Sequence, residues 1–323
     1  MGTVLLIRVS SLGDVVQTFP ALSDLECHRP SVNIDWLVEE AYEPLVALHP
    51  AASNVIPFAL RRWRRTLLQA RSWQQASSFY RQIRLKAYDA VIDAQGLLKS
   101  LAIAKMARGP IHGFGPRTIR EPFVSRFYDH TYEFPENQHR VWHYRGLMAA
   151  IFGYQIEQGI ESIDYGLSAP PKPAVVNDGL YVVLLHSTAR EEKLWPEAHW
   201  IRLGHALHER GITCVLPWGD VNEHARAKRL AEAVPGALLM PRLSLDEAAG
   251  LLARASCVVG VDTGLMHLAV AYKVPVVGIY LATRPEHHGP LGAGPTAFCG
   301  GMDQTPSVED VLDAVGRLVP GLA

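Results

Sequence analysis

Val4-Leu5-Leu6-Ile7-Arg8-Val9, followed by Ser10-Ser11-Leu12-Gly13-Asp14, decides the fold. A short run rich in aliphatic and β-branched side chains reads as a buried strand, and the glycine-bearing loop after it leads into a helical pattern, which together open a βα unit. The unit recurs. Ile34 to Val38, Ala90 to Asp93 and Ile111 to Phe114 read as further strands with helical patterns between them, so a parallel sheet is predicted. The segment Ile163 to Asp178 contains Ser168-Ala169-Pro170-Pro171-Lys172-Pro173, which can neither continue a helix nor enter a central strand, and the interdomain linker is placed there. Beyond it the alternation resumes, with strands at Tyr181 to His186, Thr213 to Pro217, Cys257 to Val261 and Val276 to Tyr280. Helices are expected over Pro196 to Arg210, around Ala225 to Ala233, from Ser244 and after Gly264. Ser244 and Glu247 have capping-box spacing, and Gly211 stands where a helix end needs a left-handed residue. The expected fold is α/β: two Rossmann-like domains, residues 1–167 and 174–323, facing each other across a cleft.

The length agrees, because 323 residues exceed what one hydrophobic core usually organises. Thirty-one Lys and Arg against 32 Asp and Glu leave almost no net charge, which argues against nonspecific nucleic-acid binding, so any anionic partner must meet a local patch. The four cysteines (Cys27, Cys214, Cys257 and Cys299) are widely spaced and make no metal-ligand pair, which fits a reducing, cytosolic setting. The first apolar run is too short for a signal peptide, and no run approaches the length of a spanning helix. Contact with a membrane would therefore be peripheral.

Ligands of a parallel sheet bind at the carboxyl ends of its strands, so chemistry is sought in the loops that follow them. In the first loop Gly13 allows a tight turn, and Asp14 can either accept a proton or merely cap the next helix, the commoner task of an aspartate there. The loop after Tyr181 to His186 offers Ser187, Thr188 and Lys193, two hydroxyls and a cation suited to a phosphate, although such a string also suits a polar surface loop. At Asp262-Thr263-Gly264-Leu265-Met266-His267 a buried strand runs into a helix whose first N–H groups could meet a diphosphate; Asp262 as a cap and His267 as a satisfied, half-buried histidine are the plain alternatives. After Thr213 to Pro217, an acidic residue in Trp218-Gly219-Asp220-Val221-Asn222-Glu223 could hold ribose hydroxyls.

Charge marks one further segment. Arg61, Arg62, Arg64, Arg65, Arg71, Arg81, Arg84 and Lys86 occur without an acidic residue among them and with Trp63 and Trp73 interleaved. Such a run can engage phosphates and carboxylates at an anionic membrane surface, or it can be a solvated basic helix face. No G-x-G-x-x-G follows the first strand, and Walker A, H-E-x-x-H and G-x-S-x-G strings are missing, so dehydrogenase, P-loop and hydrolase readings lose their support. No Asp-x-Asp string offers ligands for a metal-bridged diphosphate, so metal-independent chemistry is expected.

Taken together, Ser10 to Asp14, Arg61-Arg62-Trp63-Arg64-Arg65, Asp93 to Ser100, Arg120-Glu121-Pro122, Lys193-Leu194-Trp195-Pro196, Leu216-Pro217-Trp218-Gly219 and Val261 to Leu265 resemble the lipopolysaccharide heptosyltransferases I of glycosyltransferase family 9. The likeness spans nearly the whole chain in the same order. It implies a GT-B fold and an inverting transfer of heptose from ADP-L-glycero-β-D-manno-heptose, with no cofactor, to Kdo-lipid A of the lipopolysaccharide inner core, at the inner face of the inner membrane. By position, it implies Asp14 as general base and Ser187, Thr188 and Lys193 on the diphosphate, with Glu223 on the ribose. Asp262, Thr263, Gly264 and His267 would surround diphosphate and heptose, and Arg61, Arg62, Arg64, Arg65, Lys99 and Arg120 would face the acidic acceptor. Ser187 stands where the family usually has threonine, and Leu281 to His288 departs from its glycine-proline-threonine turn, so no contact is assigned there. A sister enzyme adding the second heptose and a non-catalytic, nucleotide-binding module that docks on anionic lipid are the competing readings.

Overall fold

The structure is a computed structural model that describes residues 2–66, 69–177, 179–283, 285, 289–302 and 304–322, apart from the side chains of residues 61, 64, 65 and 322. The chain divides into two compact units, Met1–Gln158 and Gly159–Ala323.

In the first unit, strands β1 (Thr3–Ile7), β2 (Asn33–Glu39), β3 (Asn54–Phe58), β4 (Ala90–Asp93), β5 (Ile111–Phe114) and β6 (His130–Tyr132) form one sheet in the order β3-β2-β1-β4-β5-β6. Its helices are α1 (Leu12–His28), α2 (Glu43–Val46), α3 (Leu60–Arg65), α4 (Ala70–Leu85), α5 (Leu98–Met106) and α6 (Arg140–Phe152). β1 buries Val4 through Ile7 completely, because a central parallel strand is covered on both faces and so reads as an unbroken apolar run. α1 packs on α6, and there Arg145, only 1% exposed, is held by Asp24 through Nε–Oδ2 and Nη2–Oδ1 contacts of 2.7 and 3.0 Å. An arginine so buried needs such a partner.

The second unit holds β7 (Tyr181–Leu185), β8 (Thr213–Leu216), β9 (Leu238–Leu239), β10 (Cys257–Val261), β11 (Val276–Tyr280) and β12 (Thr296–Gly300). Between and after them run α7 (Glu197–His208), α8 (Val221–Ala233), α9 (Leu245–Leu252), α10 (Gly264–Ala271) and α11 (Val308–Leu318). The strand order β9-β8-β7-β10-β11-β12 repeats that of the first unit, and all pairings in both sheets are parallel. In each unit the winding direction reverses between the first strand and the fourth, which places a switch point between β1 and β4 and another between β7 and β10. Trp195 and Trp200, neither exposed, meet edge to face at 5.0 Å in the second core, and the Trp195 indole donates to the Pro306 carbonyl at 3.0 Å.

The expected strands are present, with ends shifted by a residue or two, and the structure adds β3, β6, β9 and β12. Ser244 and Glu247 make the expected capping box, and Gly211 adopts φ 73° past the end of α7. The proline-bearing segment 168–173 lies in the second unit. Arg254 donates to the Pro170 carbonyl, Tyr272 to that of Ser168 at 3.3 Å, and a Cβ at Gly250 of α9 would collide with the Pro171 oxygen. Only glycine lets the strap lie this close to the helix.

Candidate active site

In the first unit the switch point is built around the loops after β1 and β4. The Ser10–Ser11 peptide is cis. Gln95 seats the first loop by accepting from the N–H groups of Val9 and Ser10, both at 3.0 Å. Asp14, in the first turn of α1, accepts from the Ser11 N–H and hydroxyl, each at 3.0 Å, so the capping role is real. It is not the only role: the Arg8 guanidinium lies 2.5 Å from Asp14 Oδ1. Arg8 is buried, donates to the Ala94 carbonyl at 2.7 Å and sits 5.0 Å from the Tyr144 ring centre. Burial pushes the Tyr144 hydroxyl up to about 12, with Arg8, Asp14, Arg140 and Arg120 all acting on it electrostatically. Tyr144 therefore stays protonated at physiological pH, and these charged groups share one neighbourhood.

Under this neighbourhood Asp93 is fully buried. It accepts from the Gln95 and Gly96 N–H groups at 3.0 Å, from Ser100 at 2.9 Å and from the Tyr128 hydroxyl at 2.6 Å. Burial raises the Asp93 carboxyl against the pull of these donors. Its task is to fix the β4–α5 loop, where Lys99 reaches the Ser10 hydroxyl at 3.4 Å. Arg120 is exposed on the loop after β5.

The second unit gathers the residues expected for a nucleotide diphosphate at its own switch point. Lys193 Nζ lies 2.6 Å from Asp262 Oδ2, with the two side chains only 14% and 15% exposed. Thr188 donates to the Asp262 carbonyl at 2.9 Å, and Thr283 to its carboxylate at 2.9 Å. Asp262 is thus the hub that ties together the loops after β7, β10 and β11, whereas the N-cap of α10 is Thr263. The Thr263 side chain makes no capping bond, so it leaves the first N–H groups of α10, from Gly264 on, to other acceptors. His267 is buried in the next positions of the same helix. Ser187 bonds His186 Nδ1 at 2.8 Å, and burial, helped by Arg226, lowers the His186 imidazole to about 4, so it is neutral at physiological pH.

Glu223 lies at the start of α8 after β8. There Asp220 caps the helix by accepting from the Asn222 and Glu223 N–H groups at 2.8 and 2.9 Å, and Glu223 itself accepts from the Gly219 N–H at 2.7 Å. Two residues at these sites went unmarked in the sequence reading, Arg8 and Thr283. Thr283 follows β11 as Asp262 follows β10, so the strand-end rule could have found it; of the segment after Tyr280, residues 284 and 286–288 lie outside the described residues. Arg8 had no such signal, since an arginine at the end of an apolar strand reads as the strand's exit.

Of the basic run, Arg61, Arg64 and Arg65 belong to α3 with side chains outside the description. Arg62 forks onto Glu40, at 3.0 Å through Nε and 2.8 Å through Nη2, and donates to Gln75 at 2.8 Å. Lys86 pairs with the buried Asp35 at 2.8 Å. Part of the run's charge is thus matched within the unit. Among the described residues, no group of three or more His, Cys, Asp or Glu side chains is placed to hold a metal ion.

Comparison with known proteins defines the class. Residues 76–314 match the family model of glycosyltransferase family 9 (heptosyltransferase), and this chain belongs to that family. The lipopolysaccharide heptosyltransferase 1 of Salmonella typhimurium is 41% identical over 318 residues, 98% of this chain and 99% of the relative. Among solved structures, E. coli heptosyltransferase WaaC with ADP superposes with a TM-score of 0.88 at 38% identity, covering 99% of this chain and 100% of that one. The same E. coli enzyme with ADP-2-deoxy-2-fluoro heptose gives 0.84 at 38% identity, with 99% and 100% covered. The two parallel-sheet domains are those of a GT-B fold.

Proposed function

We propose that the chain is an inverting heptosyltransferase that moves L-glycero-D-manno-heptose from ADP-L-glycero-β-D-manno-heptose to the Kdo of Kdo-lipid A, in assembly of the lipopolysaccharide inner core. The observation that carries the reading is the hub at the second switch point, where Lys193, Thr188 and Thr283 converge on Asp262 beside the open N-terminus of α10. Family membership and the likeness to an ADP-bound heptosyltransferase support it. In this reading the C-terminal domain, 174–323, takes the donor. Lys193, Ser187 and Thr188 meet its diphosphate along with the backbone of Thr263 and Gly264, Asp262 and His267 shape the diphosphate and heptose side, and Glu223 takes the ribose. The N-terminal domain takes the acceptor, which Arg61, Arg62, Arg64, Arg65, Lys99 and Arg120 face.

Asp14 accepts the proton of the Kdo hydroxyl as that oxygen attacks the anomeric carbon and ADP leaves from the opposite face, so a β donor gives an α-linked product. An aspartate with an ordinary pKa of about 3.9 is a weak base toward an alcohol, so proton transfer is late in an oxocarbenium-like transition state. Most of the barrier reduction then comes from charge stabilisation on the departing ADP by Lys193, the hydroxyls and the N–H groups of α10. The reaction proceeds without a metal ion. No helix among the described residues is long and apolar enough to cross a membrane, and the basic run supports peripheral docking on an anionic inner-membrane surface.

The test is transfer from ADP-heptose to deacylated Kdo-lipid A, with and without EDTA, following ADP release and the product's anomeric configuration. EDTA-insensitive release with an α-linked product is the expected result. Turnover only on an already heptosylated acceptor would move the assignment to the second heptose, and ADP binding without turnover on either acceptor would leave a non-catalytic module.

A further inference from the structure

The carboxyl edge of the first sheet also carries an apolar surface that the chemistry above does not use. Leu98, at the start of α5, is 60% exposed; Phe123 and Phe127, in the 3₁₀ turn Pro122–Phe127, are 57% and 42% exposed. The two rings pack edge to face at 5.1 Å, so they form one aromatic projection. The loops that bear them are bolted together: Glu121 accepts from the Leu98 N–H at 2.7 Å, and its own N–H donates to the Gly96 carbonyl at 3.3 Å. Around this projection stand Lys99, Arg120 and Arg126, all exposed, with the Arg126 guanidinium 6.0 Å from the Phe123 ring centre. Glu121 is the carboxylate in their midst. Exposed aromatic and aliphatic side chains ringed by cations match the interface of an anionic bilayer, where rings sit at headgroup level and cations meet phosphates.

We propose that Leu98, Phe123 and Phe127 insert into the headgroup layer of an anionic membrane, with Lys99, Arg120 and Arg126 against its phosphates. The purpose of this surface rests on the reading of a lipid-linked acceptor. Lys99 links it to that chemistry, since its ammonium reaches Ser10 in the loop that leads to Asp14. A membrane held at Leu98 and Phe123 would present the sugar of a lipid-anchored acceptor to the first switch point instead of leaving it to diffuse there.

The test uses the full chain and vesicles of phosphatidylethanolamine with phosphatidylglycerol, against vesicles of phosphatidylcholine alone, in a flotation assay. Wild-type protein should float with the anionic vesicles. The double variant Phe123→Ser/Phe127→Ser should float about tenfold less while keeping the wild-type thermal midpoint and the wild-type kcat/KM on deacylated, water-soluble acceptor. Undiminished flotation of the double variant overturns the proposal, as does failure of the wild type to float. Loss of a wild-type dimer in the double variant, read by light scattering, overturns it in favour of a contact between copies of the chain. Patch-dependent flotation without transfer to the soluble acceptor would uphold the docking surface and refute the assignment of Kdo as the acceptor, so the two failures are distinguishable.

Discussion

Replacing Lys193 by Ala tests the donor site most directly. The ammonium lies 2.6 Å from the Asp262 carboxylate, both side chains being about one-seventh exposed, so the pair is shielded from most solvent screening. A hydrogen bond to a charged group contributes about 1.5–3 kcal/mol, and 1.4 kcal/mol is a factor of ten in affinity. Losing the ammonium alone would therefore weaken ADP roughly 10- to 100-fold. The substitution also bares the Asp262 carboxylate beside the incoming diphosphate, which puts the expected loss near the upper end, about 100-fold. The second substitution in Lys193→Ala/Asp262→Asn removes that repulsion and should recover about tenfold of the loss. Titration calorimetry with ADP on both variants and on Asp262→Asn alone completes the cycle, and thermal unfolding checks that each protein is folded. An ADP affinity for Lys193→Ala within about threefold of wild type would refute the reasoning and move the diphosphate elsewhere. A double variant no better than the single one would refute the repulsion.

Asp14→Asn should lower turnover by about 10²- to 10⁴-fold with the ADP dissociation constant nearly unchanged, and wild-type turnover in steady-state kinetics would refute the proposal that Asp14 is the base. His186 supplies a pH dependence: burial first, then Arg226, lowers it to about 4, with Glu197 and the Pro217 carbonyl opposing. The unfolded chain takes up that proton near the ordinary pKa of about 6.5, so stability is whole above that pH and is lost as pH falls toward 4. Across this interval wild type should lose about 3 kcal/mol more than His186→Gln in urea unfolding, and parallel losses would contradict the assignment. Tyr128→Phe removes a 2.6 Å donor from the buried Asp93 carboxylate and should cost about 2 kcal/mol of stability; an unchanged urea midpoint would mean that Asp93 does not depend on it.

The central strands were legible because burial on both faces makes them near-continuous apolar runs: β4, β5, β10 and β11 begin and end where the sequence places them. The strands that were not legible, β3, β6, β9 and β12, are the edges of the two sheets. An edge strand is half solvated, and β3 even tolerates Pro57, so neither an apolar run nor a clean alternation marks it. The strand-end rule marked Asp14, Lys193, Asp262 and Thr263 as candidates, since position after a strand is a local property. What it could not give is pairing. That Arg8 turns back onto Asp14, that Asp262 gathers Lys193 and Thr283, and that Arg62 is matched by Glu40 all depend on side chains brought together by the fold.

The shared strand order also governs how the protein is made. Gln95 closes on Val9 and Ser10 across 86 and 85 positions, and Thr188 closes on the Asp262 carbonyl across 74. Contacts so distant in sequence carry the full entropy of loop closure before they return any stability, which makes them late steps in folding. During translation at about 5–20 residues per second, β1 waits on the order of ten seconds for β4, its partner at the switch point. Through that interval a fully apolar strand is present with one side unpaired. Both loops thus close only after a long further stretch of chain has been made, and a chain halted before Gln95 would carry Asp14 without the side chain that seats its loop.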